Sequence, residues 1–220
     1  MTIDLVLTGR DAHRVMISGQ TRSGKSTVAI ALANAATRAV WFDVKGENDP
    51  HWPVVPASVF LDAPADQRAA VLAQQFAYAP RIVVQLASRP GVDDAAQVDA
   101  AAQAVFDLRD TLFVLDDAMG VLESRAPYFV RRLVTMGASR GCGFMAVSQR
   151  VHSIPLLFLS EASHLLAFVA YDDDDVSRLV LHGGPGFETV RTLAPREYLW
   201  CDRTKVPRTV HRFKPLRRVA

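Results

Sequence analysis

The sequence predicts an α/β fold, a doubly wound and mainly parallel sheet, and three observations carry that expectation. Short runs of nearly continuous apolar residues alternate with longer stretches whose apolar positions recur at helical spacing. The short runs lack polar alternation, as strands buried on both faces do. Apolar residues make up 50% of the 220 and charged residues 22%, which suits one sizeable core and excludes a disordered or fibrous chain. Right-handed crossovers then wind the chain across both faces of the sheet.

The elements follow in order. Residues 14–18 read as a strand, 25–37 as an alanine-rich helix and 39–44 as a second strand. Residues 65–78 read as a helix, with Val71, Leu72 and Phe76, and Ala79 just beyond, at helical spacing, and 81–86 form a third strand. A helix over 93–108 puts Val98, Ala102, Val105 and Phe106 on one face. Strands at 111–115 and 143–148 flank a helix over 125–139. Residues 164–171 come next, then a short helix near 173–181. Two hairpin strands are expected at 188–193 and 197–201, with Gly183-Gly-Pro-Gly186 as a turn. Thr209-Val-His-Arg-Phe213 alternates like an edge strand.

Charge divides the chain. Residues 1–202 hold 18 basic and 23 acidic side chains, whereas 203–220 hold seven basic and no acidic ones. The expected organisation is a core over 1–202, closed by a C-terminal hairpin, and a basic tail over 203–220. Cys142 and Cys201 are too few for a disulfide scaffold. The N-terminus lacks the basic-then-apolar run of a signal peptide, and the most apolar stretch, 154–170, is broken by Glu161 and His164. A cytoplasmic protein without a transmembrane segment is expected.

Gly19-Gln-Thr-Arg-Ser-Gly-Lys-Ser26 matches GxxxxGK[ST] and sits between a strand and a helix, as a phosphate-binding loop must. Its glycines let successive N–H groups face one concavity, and the helix start adds unpaired donors. Gly19, Gln20, Thr21, Arg22, Ser23, Gly24, Lys25, Ser26 and Thr27 are therefore the expected ATP-binding residues. Lys25 would neutralise the β- and γ-phosphates, Ser26 would bind Mg²⁺, and Thr27 could line the α-phosphate side.

Leu112-Phe-Val-Leu-Asp-Asp117 is a buried strand ending in two acids, at the sheet edge where ligands of open α/β sheets bind. Asp116 is suited to the Mg²⁺ shell, and Asp117 to orienting or deprotonating the attacking water. An Asp-Asp helix cap is the competing reading. Gln149, at the end of the fifth strand, can contact a γ-phosphate or be an ordinary polar strand end. Arg140, Arg150 and Arg132 are candidates for an arginine finger, each also explicable as a solvated or ion-paired side chain.

These segments, with Trp41-Phe-Asp-Val-Lys-Gly-Glu47 and Met136-Gly-Ala-Ser-Arg-Gly-Cys-Gly-Phe-Met-Ala-Val-Ser-Gln-Arg150, resemble the FtsK/HerA superfamily of P-loop ATPases. The resemblance spans about residues 14–171. It implies a RecA-like P-loop NTPase fold with a small C-terminal β extension, and a homo-oligomeric ring, usually hexameric, that pumps double-stranded DNA with ATP. By the same resemblance Arg140 is the trans-acting finger and Gln149 the sensor. The small size is similar to that of the genome-packaging ATPases of tailless, internal-membrane viruses, which implies capsid or vertex proteins as partners and a host-cytoplasm or virion-vertex location. The superfamily usually has Glu where Asp117 stands, which leaves Glu47 open as a partner in catalysis.

The seven basic residues Arg203, Lys205, Arg208, Arg212, Lys214, Arg217 and Arg218 could meet DNA phosphates, dock on a capsid partner, or form a solvated tail. Asp172, Asp173, Asp174 and Asp175 read as caps of the helix that follows. Six scattered histidines have no metal-ligand spacing. The expectation is a DNA-translocating ATPase; a small-molecule or nucleoside kinase and an ATP-switched assembly protein are the rivals.

Overall fold

The computed structural model describes residues 5–87, 91, 93–122 and 126–213. Its centre is a nine-stranded sheet in the order β3-β4-β2-β5-β6-β1-β7-β8-β9. The strands are β1 (Arg14–Ser18), β2 (Ala39–Asp43), β3 (Val54–Pro56), β4 (Arg81–Gln85), β5 (Leu112–Asp116), β6 (Phe144–Ser148), β7 (His164–Ala167), β8 (Tyr198–Asp202) and β9 (Val210–Phe213). The first seven run parallel; β8 and β9 add antiparallel to one edge. The α/β, mainly parallel sheet with a C-terminal β extension is thus the observed fold.

The helices are α1 (Lys25–Ala33), α2 (Ser58–Leu61), α3 (Arg68–Tyr78), α4 (Asp94–Leu108), α5 (Tyr128–Met136), α6 (Leu156–Glu161) and α7 (Asp173–Gly183). Period-two alternation sorts each strand between two cores. Val40, Phe42, Phe113, Leu115 and Phe144 face the larger core, which the helices from α2 to α7 cover. Ala39, Trp41, Val114, Met145 and Val147 face the smaller one, where α1 lays the small side chains of Ala29 and Ala33 against the sheet.

Several boundaries differ from expectation for identifiable reasons. α1 stops at Ala33 instead of continuing to residue 37, and the chain tightens as Ala36 N donates to Ala33 O at 3.1 Å. Arg81 fixes that end from β4, its guanidinium donating to Asn34 O at 2.7 Å and Ala36 O at 3.2 Å. The helix expected over 125–139 starts only after Pro127, where Asp99 caps it by accepting from Phe129 N (2.6 Å) and Val130 N (3.1 Å). Position 125 lies outside the described residues. β3 and α2 were not expected, because elements of three and four residues carry no periodic signal.

The strand expected over 188–193 does not form. Phe187 and Val190 are both buried, and spacing of three belongs to the 3₁₀ turn observed over Phe187–Thr192. Thr189 Oγ1 donates to Gly186 O at 2.7 Å and holds the turn. The real hairpin is β8 with β9, so the edge strand read in residues 209–213 is present. Asp172 does cap α7, accepting from Asp174 N at 3.1 Å and Asp175 N at 3.3 Å.

A parallel sheet gathers helix C-termini at one edge, where carbonyls lack partners and the helix dipoles are negative. Arginines meet them there. Arg14 Nε donates to Glu161 O at 2.7 Å, and Arg203 donates to Ala162 O at 2.7 Å, to Ser160 O at 3.4 Å and to Leu159 O, all at the end of α6. Arg140 Nε donates to Phe106 O at 2.7 Å, near the end of α4. Within the expected basic tail, therefore, Arg203 is a structural residue. Arg212 pairs with Glu197 and Lys205 with Asp202 (3.2 Å). Lys214, Arg217 and Arg218 lie outside the described residues.

Replacing Arg203 with Ala should strand three carbonyls at the end of α6. A loss of about 1–3 kcal/mol is expected, read as a fall in Tm of about 2–10 °C. An unchanged Tm would show that water replaces the guanidinium without cost.

Candidate functional site

Parallel register sets the site. Asp43 of β2 lies level with Gln85 of β4 and with Asp116 of β5, while Ser18 of β1 lies level with Ser148 of β6 and Ala167 of β7. These strand ends form one edge of the sheet. The phosphate loop leaves β1 at that edge, two strands from Asp116, with the end of β6 between them.

The loop is seated on the residues that follow β7. Gln20 N donates to Val169 O at 3.1 Å, and Gly19 adopts φ +140°. A Cβ on Gly19 would fall 2.6 Å from Phe168 Cβ, so this position admits only glycine. Gly24, at φ +106°, is the N-cap of α1, and Lys25 and Ser26 open the helix. The hydroxyls of Ser18, at the end of β1, and of Ser23, within the loop, are buried with no hydrogen-bond partner among the described residues.

Thr21, Arg22, Lys25, Ser26, Lys45, Glu47, Asp116, Asp117, Ser148 and Gln149 line one cleft of about 370 Å³. Lys25 is 8% exposed and its Nζ donates to Gln20 O at 2.7 Å. Burial, with Lys45 nearby, lowers its pKa to about 8 against the pull of Asp116 and Asp117. Asp116 moves the other way. Burial first, then the negative charge of Asp49, raises its carboxyl to about 6, although it accepts from Asp117 N at 3.0 Å.

Asp117 sits beyond the strand at φ 55°, ψ 52°, a left-handed conformation uncommon for an aspartate. The turn brings its side chain to Lys45, whose Nζ is 3.3 Å from Oδ2. The two acids therefore have different surroundings. Gln149 lines the cleft, and its Oε1 accepts from Thr21 Oγ1 at 3.0 Å.

Arg140 does not reach this cleft. It lies before β6, at the opposite end of that strand from Ser148 and Gln149. Its guanidinium stacks 4.4 Å from the Phe106 ring centroid and 3.9 Å from Asp107. Arg132 likewise stacks on Phe106, at 4.5 Å. Arg150 pairs with Asp172 at 2.6 Å and Asp175 at 3.2 Å, tying the residue after Gln149 to α7.

Sequence reasoning gave no role to Lys45, Asp43 or Asp49. Asp43 organises the loop after β2, accepting from Lys45 N (3.1 Å), Gly46 N (2.9 Å), Asn48 N (2.7 Å) and Gln85 Nε2 (3.1 Å). That loop delivers Lys45 and Glu47 to the cleft. The available signal was the strand order: once β2 is placed beside β5, a cation two residues beyond its end falls level with the paired acids.

No protein-family model and no curated protein matches the sequence. Solved structures do. The genome packaging NTPase B204 from Sulfolobus turreted icosahedral virus 2, solved in complex with AMPPCP, matches at TM-score 0.69 and 15% identity. The alignment covers 94% of this chain and 100% of that one. B204, the DNA-packaging ATPase from Sulfolobus turreted icosahedral virus, matches at TM-score 0.67 and 16% identity, over 94% of this chain and 98% of that one. The cytoplasmic domain of the type VII secretion ATPase EccC from Thermomonospora curvata matches at TM-score 0.56 and 18% identity, over 94% of this chain and 26% of that one. The chain has the fold of these ATPases, that of a RecA-like P-loop NTPase.

Proposed function

We propose that the chain hydrolyses ATP to translocate double-stranded DNA, packaging a viral genome as a homo-oligomeric, hexameric ring. One observation carries the reading: a phosphate loop, a buried lysine, two differently placed acids and Gln149 converge on a single cleft. The full-length likeness in fold to two genome-packaging enzymes supports the choice of DNA as cargo. Among the described residues, no helix is long and apolar enough to cross a membrane.

Lys25 exchanges its bond to Gln20 O for the β- and γ-phosphate oxygens, where its charge is worth most because it is largely desolvated. Mg²⁺ fits the cleft: Ser26 and Asp116 offer a hydroxyl and a carboxylate, and the charges of Asp43 and Asp49 make a cation beside Asp116 favourable. Bound there, the ion would neutralise charge on the phosphate oxygens. Asp117 takes the water's proton or fixes its orientation, with Lys45 Nζ 3.3 Å away and Glu47 in the same cleft. Gln149 reads the γ-phosphate and passes its loss through Arg150 to α7. Arg140, at the other end of β6, serves the neighbouring protomer's cleft.

Duplex DNA should stimulate turnover several-fold, and the oligomer should be a ring when ATP and linear duplex are present. Turnover that needs a small acceptor would instead indicate a kinase, and absence of turnover a structural switch. Lys25→Ala and Arg140→Ala should each abolish hydrolysis, only the former also weakening nucleotide binding. Mixing the two inactive variants should restore activity if Arg140 acts in trans, because some intact clefts then meet an intact arginine. No recovery in a correctly assembled mixture would remove that role.

The pH dependence follows from the shifted groups. Asp116 must be ionised and Lys25 protonated, so kcat/KM for Mg-ATP should be highest between about 6 and about 8. Outside that window it should fall about tenfold per pH unit on each side. A profile flat from pH 5 to 9 would contradict these roles.

A further inference from the structure

A second, smaller cleft of about 200 Å³ adjoins the phosphate loop, lined by Arg22, Gly24, Lys25, Ser26, Thr27 and Arg196. Arg196 alone comes from outside the loop and α1. It occupies the turn before β8, at φ 67°. Glu197 N donates to Ala194 O at 3.0 Å, and Ala194 N donates back to Glu197 Oε2 at 2.9 Å. From β9, Arg212 Nε donates to the same carboxylate oxygen at 3.1 Å, and its Nη2 donates to Thr192 O at 3.1 Å. The left-handed backbone of Arg196 is therefore held by its surroundings, as strained residues at functional positions are.

The fastened turn brings Arg196 against the loop. A Cβ on Gly24 would lie 3.6 Å from Arg196 Cγ and 3.7 Å from its Cα. The side chain is exposed, and no acid or carbonyl among the described residues holds its guanidinium. That sets it apart from Arg14, Arg81, Arg150 and Arg203, each committed to a carbonyl or carboxylate. Arg22 and Lys25 line both clefts, and Lys45 lines the larger one, on the side of Asp116 and Asp117. Beside Thr27 the smaller cleft has a cation of its own and no acid lining it.

We propose that this smaller cleft takes the α-phosphate of the nucleotide and that Arg196 is the side chain that binds it. The assignment rests on the nucleotide reading above and adds to it a binding residue supplied by the C-terminal strands. A guanidinium offers two parallel donors to a phosphate and stays charged at any working pH. Because AMP, ADP and ATP share the α-phosphate, Arg196 contributes to all three alike and to adenosine not at all.

The test measures affinities of AMP, ADP, ATP and adenosine for the wild-type chain, Arg196→Ala and Arg196→Lys. Arg196→Ala removes an exposed side chain, so its Tm should match the wild type. The proposal expects the three nucleotides to bind about tenfold more weakly to Arg196→Ala, adenosine to be unaffected, and Lys to restore part of the loss. Undiminished ADP binding by Arg196→Ala would overturn it. So would a loss confined to ATP, which would place Arg196 at the γ-phosphate, or an equal loss for adenosine, which would place it on the base. If the wild-type chain binds none of the four, the nucleotide reading falls as well, which distinguishes the two failures.

Discussion

Parallel register is the constraint on which the rest of the molecule depends. It brings Ser18, Asp43, Asp116 and Ser148 to one edge, because each closes a strand that points the same way. At that edge α1 presents unpaired N–H groups, and at the other edge α4 and α6 present unpaired carbonyls. The chain distributes charge accordingly. Acids and two lysines meet at the first edge, whereas Arg14, Arg38, Arg81, Arg140 and Arg203 donate to backbone carbonyls at the second.

The C-terminal strands are integral to this edge. Phe168 lies beneath Gly19 and within 3.3 Å of where a Cβ on Gly24 would fall. Its ring packs 5.2 Å from Tyr198 of β8, which stacks 5.1 Å from Phe213 of β9. A row of aromatic contacts thus runs from the end of the described chain to the two loop glycines. Rigid rings transmit position well because close-packed interiors have little room to yield. The loop's conformation therefore depends on β8 and β9 as well as on its own glycines.

Much of this was legible in the sequence. Continuous apolar runs located five strands of the parallel sheet within a residue or two, and the loop motif carried its own strand-and-helix context. Asp116 and Gln149 followed from what a buried strand must do when it ends. The failures have equally definite causes. Phe187, Val190 and Leu193 lie three apart, the spacing of the turn that forms, but Thr189, Val190 and Thr192 are β-branched residues of the kind that favour strands. Lys45 and Arg196 could not be found from their own surroundings in sequence. Each lies in a turn, and each gains its place only when distant strands pair, β2 with β5 for Lys45 and β7 with β8 for Arg196.

The cleft's electrostatics follow from the same geometry. Folding moves Lys25 and Asp116 toward their neutral forms, the lysine down and the carboxyl up, and burial is the leading cause of both. For each group the charged form costs stability in the folded chain: Lys25 most below about pH 8, Asp116 most above about pH 6. Between those limits both penalties apply together. An anion beside Lys25 would raise its pKa and a cation beside Asp116 would lower that of the carboxyl, each relieving the penalty on the charge it meets.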